Sequence, residues 1–327
     1  MKISFNGVSR RSEFFEQNTG YGKLFGKLFE ALKQTHYEVV LNDSTAPVAI
    51  CCENPGWLYR EPGQYTIGYT THESTEIVPE WAKGLEAVDE IWTPSQFITE
   101  VFRDYTNKEV TTVPISVDDD FVPVRRNASR PFLFLHVGEP SPRKGGSIVL
   151  ECFQELFGDS DEVQLVFKSF GNTTNLVGAN MMSNVVVLSN DYSQQQMNQL
   201  YGKVHCLVYP TMGEGGGFIP LEAMATGLPT ISTTPWSDYK DFIELPIDSR
   251  WVPVSEQLLQ TSPLRGSILE PDKDSIKERM TLVYEDYEKY EELYSNRVQE
   301  LKKQYSSTNI VEWIVIPRLR EIEERYV

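Results

Sequence analysis

The chain has 327 residues, 40% of them hydrophobic and 24% charged, with a formal net charge of −17. That length divides naturally into two domains, and the acidic balance of both halves opposes indiscriminate binding to nucleic acid or anionic lipid, because like charges repel at long range. The apolar runs are strand-sized, as in Phe132–Val137, so no integral membrane segment is expected.

The N-terminus, MKISFNGV, enters an apolar strand pattern directly, without the hydrophobic stretch of a secretory signal. Cys51, Cys52, Cys152 and Cys206 lack CxxC spacing and sit mostly in apolar runs, the habit of buried thiols in a reducing compartment. A cytoplasmic location is expected.

In chain order, Ile3–Phe5 reads as a strand and Gly22–Lys33 as an amphipathic helix with Leu24, Phe25, Leu28, Phe29 and Leu32 on one face. Glu38–Leu41, Val48–Cys51, Thr66–Tyr69 and Glu90–Trp92 read as strands, followed by a helix from Ser95 to Tyr105 and a last short strand at Thr111–Pro114. Residues 116–131, SVDDDFVPVRRNASRP, carry charge and proline without a period and read as a connection between domains. Asp118–Asp120 within it has the look of a metal-binding DxD, but a solvated turn accounts for it and no metal is assigned.

A second alternation follows. Strands are expected at Phe132–Val137, Gln164–Lys168, Val185–Leu188, His205–Tyr209 and Thr230–Ser232, and helices at Gly145–Phe157, Ser193–Gly202 and Pro220–Thr226. From Ser275 the sequence is helical, charged and tyrosine-rich, with a break near Ser306–Ser307. A last helix, Asn309–Arg325, spaces Val311, Ile314, Val315 and Leu319 to cover an apolar surface, which the first domain can supply. The fold class is α/β: two doubly wound, Rossmann-like domains facing each other across a cleft. The expected divisions are 1–120, a linker at 121–130, 131–305, and a C-terminal helix at 306–327.

The most informative segment is YPTMGEGGGFIPLEAMATGLPTIS, residues 209–232. A strand runs into Gly213-Glu214-Gly215-Gly216-Gly217 and straight into a helix that carries Glu222. Glycines there let the backbone approach a ligand, and the N–H groups and dipole of the helix start attract an anion such as a diphosphate. Glu214 and Glu222 flank that turn. Carboxylates would repel phosphate, so sugar hydroxyls are their expected partners. By spacing alone, a flexible turn and an early-turn glutamate fit equally well.

The segment EGGGFIPLEAMATGLPTI resembles the nucleotide-sugar signature of GT-B retaining glycosyltransferases of the group 1, or family 4, type. Further stretches are similar in the same order: IGYTTHESTEIVPEW (67–81), IWTPSQFITEVF (91–102), VPISVDDDFVP (113–123), HVGEPSPRKGG (136–146) and ILEPDKDSI (268–276). The resemblance spans nearly the whole chain.

The resemblance implies that Glu222 holds the donor's ribose and Glu214 faces the transferred sugar. Backbone N–H groups of Gly215, Gly216, Gly217, Phe218 and Ile219 would contact sugar and diphosphate. In the loop opened by Gly138, Lys144 fits the family's phosphate lysine, whereas Glu139 stands where an arginine is usual. A carboxylate cannot stabilise a leaving diphosphate, so Arg143 is expected to supply the missing charge. His72 and Glu73, at the end of a strand read as facing the cleft, are candidates for polarising acceptor or sugar. Gly20 and Gly22 match a glycine-containing loop beside the donor phosphates. Arg10, Arg11 and Lys23 form a basic set suited to an acceptor bearing phosphate.

The expected partners are a nucleotide-sugar donor, serving as co-substrate with no other cofactor and no metal, and a glycan or lipid-linked sugar as acceptor. Two alternatives stay open: a bacteriophage-type enzyme acting on a modified base in DNA, and a non-catalytic nucleotide-sugar-binding protein, which Glu139 would suit.

Overall fold

The computed structural model describes residues 1–7, 20–169, 182–261 and 263–327. The first sheet holds β1 (Lys2–Gly7), β2 (Glu38–Leu41), β3 (Val48–Cys52), β4 (Tyr65–Tyr69), β5 (Glu90–Thr93) and β6 (Val110–Thr112) in the order β2-β1-β3-β4-β5-β6. Every pairing in it is parallel. Helices α1 (Gly20–Lys33), α2 (Ala82–Ala87) and α3 (Gln96–Arg103) make its crossovers. The central strand β3 is buried at all five positions, the pattern of a strand covered on both faces.

The second sheet holds β7 (Phe132–Val137), β8 (Val163–Lys168), β9 (Val185–Leu188), β10 (Cys206–Tyr209), β11 (Thr230–Ser232) and β12 (Leu245–Pro246), ordered β12-β11-β10-β7-β8-β9. It is parallel throughout as well. Its helices are α4 (Gly146–Phe157), α5 (Gln194–Lys203) and α6 (Phe218–Ala225). An antiparallel hairpin, β13 (Ser249–Pro253) with β14 (Ser267–Pro271), brackets α7 (Glu256–Thr261). The α/β architecture of two doubly wound sheets, expected from the alternation of patterns, is present.

Residues 118–131 are irregular but pack on the second sheet's layer. Phe121 is fully buried, and Arg126, also buried, donates to the carbonyls of Tyr201, Val124 and Thr226 and to the Thr226 hydroxyl. The guanidinium thus satisfies the carbonyls left open at two helix ends.

Helices α8 (Lys273–Glu285) and α9 (Tyr287–Tyr305) complete the second layer, and the chain then crosses back. The two crossings run side by side, with Val117 N–H donating to Tyr305 O at 2.9 Å and the Ser307 hydroxyl to Ser116 Oγ at 2.8 Å. The final helical stretch is less uniform than its spacing predicts. α10 (Ser307–Ile310) widens into a π turn at Val311–Val315 before α11 (Ile316–Tyr326). Pro317 lacks the N–H that would close an α turn there, and the wider turn accommodates the loss.

α11 lies on the first sheet. Arg318 Nε and Nη2 grip the carboxylate of Glu90 at 2.9 and 2.7 Å, and Tyr326 stacks on Tyr65 with ring centroids 4.5 Å apart. Among the described residues no helix is long and apolar enough to cross a membrane.

Candidate active site

The C-terminal ends of both sheets face one another, and the segment between β10 and α6 lies where they meet. Its glycines have a steric reason. A Cβ on Gly213 would lie 2.0 Å from Glu73 O, one on Gly215 1.7 Å from Thr71 Oγ1, and one on Gly216 2.6 Å from Ile115 Cγ2. The turn therefore packs its bare backbone against the loop after β4 and the connection after β6. Gly217 also takes φ +72°, and Tyr239 OH donates to its carbonyl. Pro220 is harmless in the helix that follows, because first-turn N–H groups have no intrahelical partner to lose.

A second strap joins the domains beside the turn. Thr75 N–H donates to Ser267 O at 3.0 Å, Ser267 N–H to Thr75 Oγ1 at 2.7 Å, and Arg265 N–H to Ser74 Oγ at 3.1 Å. At the far rim, the first N–H of α3, on Gln96, donates to the Asp238 carboxylate at 2.9 Å, and Phe97 stacks on Trp251.

Glu214 sits at the heart of this arrangement with its Oε1 accepting from four groups: Lys144 Nζ at 2.5 Å, Arg143 Nη1 at 3.3 Å, Tyr209 OH at 2.9 Å and Thr211 Oγ1 at 2.9 Å. Burial pushes this carboxyl up, but Lys144 and Arg143 outweigh it and hold Glu214 below the usual carboxylate value. Arg143 reaches the spot from the turn Pro142–Lys144, donates to Gly213 O at 2.6 Å, and lies 3.5 Å from Glu139. Burial disfavours its charge, yet Glu73, Glu214 and Glu139 more than restore it. Gly145, at φ +74°, turns that loop into α4, where a side chain would strike Pro210 O.

Glu222, on the buried face of α6, is 1% exposed. Its Oε1 accepts from Lys23 Nζ at 2.8 Å, across the cleft, and its Oε2 from Tyr201 OH at 3.3 Å.

A cavity of about 450 Å³ opens beside Glu214, Arg143, Lys144 and Lys23; Glu222 is not among the residues that line it. Of the residues singled out from sequence, Glu214, Lys144, Arg143, Glu73, Gly215, Gly216, Gly217, Phe218, Ile219, Gly138, Gly20 and Lys23 line it. Gly20 and Gly22 belong to the first turn of α1 rather than to a loop before it, so the N-terminus of that helix looks into the cavity. Gly22 is buried and borders a second, larger cavity of about 790 Å³. Lys23, grouped with the acceptor by sequence, is bonded instead to Glu222 on the other domain. Arg10 and Arg11 lie outside the described residues.

His72 departs from expectation. It is 1% exposed and turned inward, with Nε2 shared between Glu76 O and Ser74 Oγ at 2.7 Å each and its ring edge-on to Trp81. Its Nδ1 is enclosed without a partner among the described residues, and burial lowers its pKa, favouring the neutral ring. It braces the loop that meets Gly215 and does not line the cavity.

Sequence reading missed Tyr209, Thr211, Tyr201, Tyr21 and Thr71. Tyr209 and Thr211 are two residues apart at the end of β10, hence on one face, and that period is a usable signal. Tyr21, whose hydroxyl donates to Thr71 O at 3.2 Å, and Thr71 itself have meaning only once the domains meet.

The sequence pattern of the family described as glycosyl transferases group 1 matches residues 131–252. No curated protein matches the chain by sequence. Among solved structures, sucrose-phosphate synthase from Thermosynechococcus elongatus superposes with a TM-score of 0.70 at 13% identity, each chain covered to 99%. WaaG, a glycosyltransferase involved in lipopolysaccharide biosynthesis, gives 0.65 at 12% identity, covering 95% of this chain and 99% of its own. The pneumococcal O-GlcNAc transferase GtfA, solved with UDP and GlcNAc, gives 0.58 at 15% identity over 85% of this chain; only 56% of that longer protein is spanned. The fold is GT-B.

Proposed function

We propose that this chain, a glycosyltransferase of GT-B fold with a group 1 domain, moves a sugar from a nucleotide-sugar donor to an acceptor hydroxyl with retention of configuration. The observation that carries this reading is the mooring of Glu214, which holds Lys144 and Arg143 in the same cavity as the glycine turn. Two cations, a helix N-terminus and an ionised carboxylate in one cavity suit a ligand that is anionic at one end and rich in hydroxyls at the other.

In this reading the diphosphate lies against the N–H groups of Gly216 to Ile219 at the start of α6. Glu222 accepts from the ribose, and Glu214, whose Oε2 takes none of the four bonds above, accepts from the transferred sugar. The bond between the anomeric carbon and the diphosphate oxygen breaks while the acceptor oxygen bonds to that carbon from the same face. The acceptor's proton passes to the departing phosphate oxygen. The protein's contribution is positioning and a fixed field that meets the charge developing on the leaving group. Arg143 takes the place of the arginine missing at Glu139, and no metal is required.

A glycan or lipid-linked sugar as acceptor is supported by the likeness to WaaG, a protein involved in lipopolysaccharide biosynthesis. A cytoplasmic setting is supported by four free, buried cysteines. The test is to incubate the chain with a panel of nucleotide sugars and glycan or lipid-linked acceptors, then read the anomeric configuration of the product by proton NMR. A product with the donor's configuration supports the reading; an inverted product refutes retention, and no product from any pair refutes the transfer reading.

A further inference from the structure

Among the described residues, three cations line the 450 Å³ cavity: Lys23, Arg143 and Lys144. Two of them are already bound to Glu214, and Arg143 also lies 3.5 Å from Glu139. Glu73, Glu139 and Glu214 line the same space, so these three carboxylates outnumber that pair of cations before any diphosphate arrives. A dianionic or trianionic ligand then needs a further cation, since charge left unmatched in a closed cleft is costly.

Lys23 is the cation able to move. It stands in the first turn of α1 with its side chain 26% exposed, against 11% for Arg143 and 15% for Lys144, and its one bonded partner among the described residues is Glu222 Oε1 at 2.8 Å. Glu222 is the fixed member of the pair: it is buried on α6 and held from the other side by Tyr201 OH. With Glu222 1% exposed, Tyr201 OH on Oε2 and Lys23 on Oε1, a ribose hydroxyl that reaches the carboxylate competes with Lys23, the more exposed of the two donors. Lys23 also borders both cavities.

We propose that Lys23 is a diphosphate-binding residue held in reserve on Glu222: the incoming ribose takes the carboxylate, and the displaced ammonium moves onto the donor's diphosphate. This rests on the reading of Glu222 as the ribose partner. The exchange keeps the domains bridged throughout, first by the Lys23–Glu222 ion pair and then by a phosphate shared between α1 and the glycine turn. It also links nucleoside recognition to phosphate capture, because the lysine is released only when the ribose arrives.

The experiment compares full-length wild type, Lys23→Met, Lys23→Arg and Glu222→Gln for binding of nucleosides and of the matching nucleoside diphosphates, by calorimetry and, for weak ligands, ligand-observed NMR. Thermal melts establish that each variant folds. Lys23→Met is expected to weaken the diphosphate about tenfold or more, the worth of one charge-assisted hydrogen bond, while the bare nucleoside binds as well as before or better. Lys23→Arg restores most of the diphosphate affinity, and the salt dependence of diphosphate binding becomes shallower in Lys23→Met. Equal tightening of both ligands would mean that the lysine merely blocks the ribose, and equal weakening or no change would remove it from the phosphates; each result overturns the proposal. Failure of the underlying reading shows separately, as a Glu222→Gln variant that binds nucleoside like wild type.

Discussion

Lys144 Nζ lies 2.5 Å from Glu214 Oε1, and the phenol of Tyr209 bonds to both, so lysine and carboxylate hold each other at the end of β10. Breaking one side of such a pair leaves the other charged and under-compensated. Lys144→Met is therefore expected to lower kcat about 100-fold or more, in line with loss of one group stabilising developing charge. Arg143→Met should fall in the same range, because Arg143 carries the second cation on Glu214. Steady-state kinetics with a productive donor check both; a kcat within threefold of wild type for either removes it from the leaving-group field.

The glycine turn gives a prediction about closure. Gly215→Ala places a methyl 1.7 Å from Thr71 Oγ1 and 3.1 Å from His72 O, on the opposite domain. The clash lies between domains rather than within one, so each can fold while the cleft is held open. Small-angle scattering should show a larger radius of gyration, with turnover reduced and melting little changed. An unchanged radius with full activity would mean that the contact between the turn and residues 71–73 is dispensable.

The clasp of α11 is a third. Glu90 is 0% exposed and accepts from Arg318, from Trp92 Nε1 at 2.6 Å and from Tyr65 OH at 3.1 Å. Arg318→Met strands a buried carboxylate, at a cost of about 3–5 kcal/mol. Glu90→Gln keeps an acceptor oxygen for Trp92 Nε1 and sets an NH2 that can donate to the Tyr65 hydroxyl, leaves no buried charge, and should cost less. Denaturant unfolding followed by circular dichroism measures the order, and an Arg318→Met variant as stable as wild type would contradict it.

These contacts show what the sequence carries and what it does not. Alternating patterns sufficed for the six strands of the first sheet and five of the second, because strands such as Val48–Cys52 and Phe132–Val137 are bounded by turns and buried on both faces, whereas β12, Leu245–Pro246, is too short to show a period. The glycine turn was legible because five residues of one segment build it. Lys23 and Glu222 are 199 positions apart, and Glu90 and Arg318 are 228 apart; no local period reports such pairs, since only the domain arrangement creates them. His72 looked like a cleft residue because it follows a strand facing the site, but Ser74 and Glu76, two and four residues on, turn its ring inward.

A fourth prediction concerns acid. Burial lowers the pKa of His72 and His205 and brings His136 down to about 4. An unfolded histidine takes up its proton near 6.5. Between that value and the folded one, the unfolded chain binds more protons, so stability falls as pH falls, by up to about 1.4 kcal/mol per pH unit for each residue. Glu214, held below its ordinary value, adds a loss of the same sign at lower pH. Melting temperature should be level above about pH 7 and decline steadily towards pH 5, with a shallower slope in a folded His136→Gln variant. A flat profile down to pH 5 would contradict buried neutral histidines.

The central claim is that Glu214 organises a site for nucleotide-sugar turnover. The direct measurement is release of nucleoside diphosphate from a panel of nucleotide sugars, with and without acceptor, by the wild-type chain and by Glu214→Ala. The account predicts that one donor is turned over, that acceptor speeds its release, and that a folded Glu214→Ala variant loses at least about 99% of the rate. Release at an undiminished rate by Glu214→Ala, or none from any donor by wild type, would contradict it.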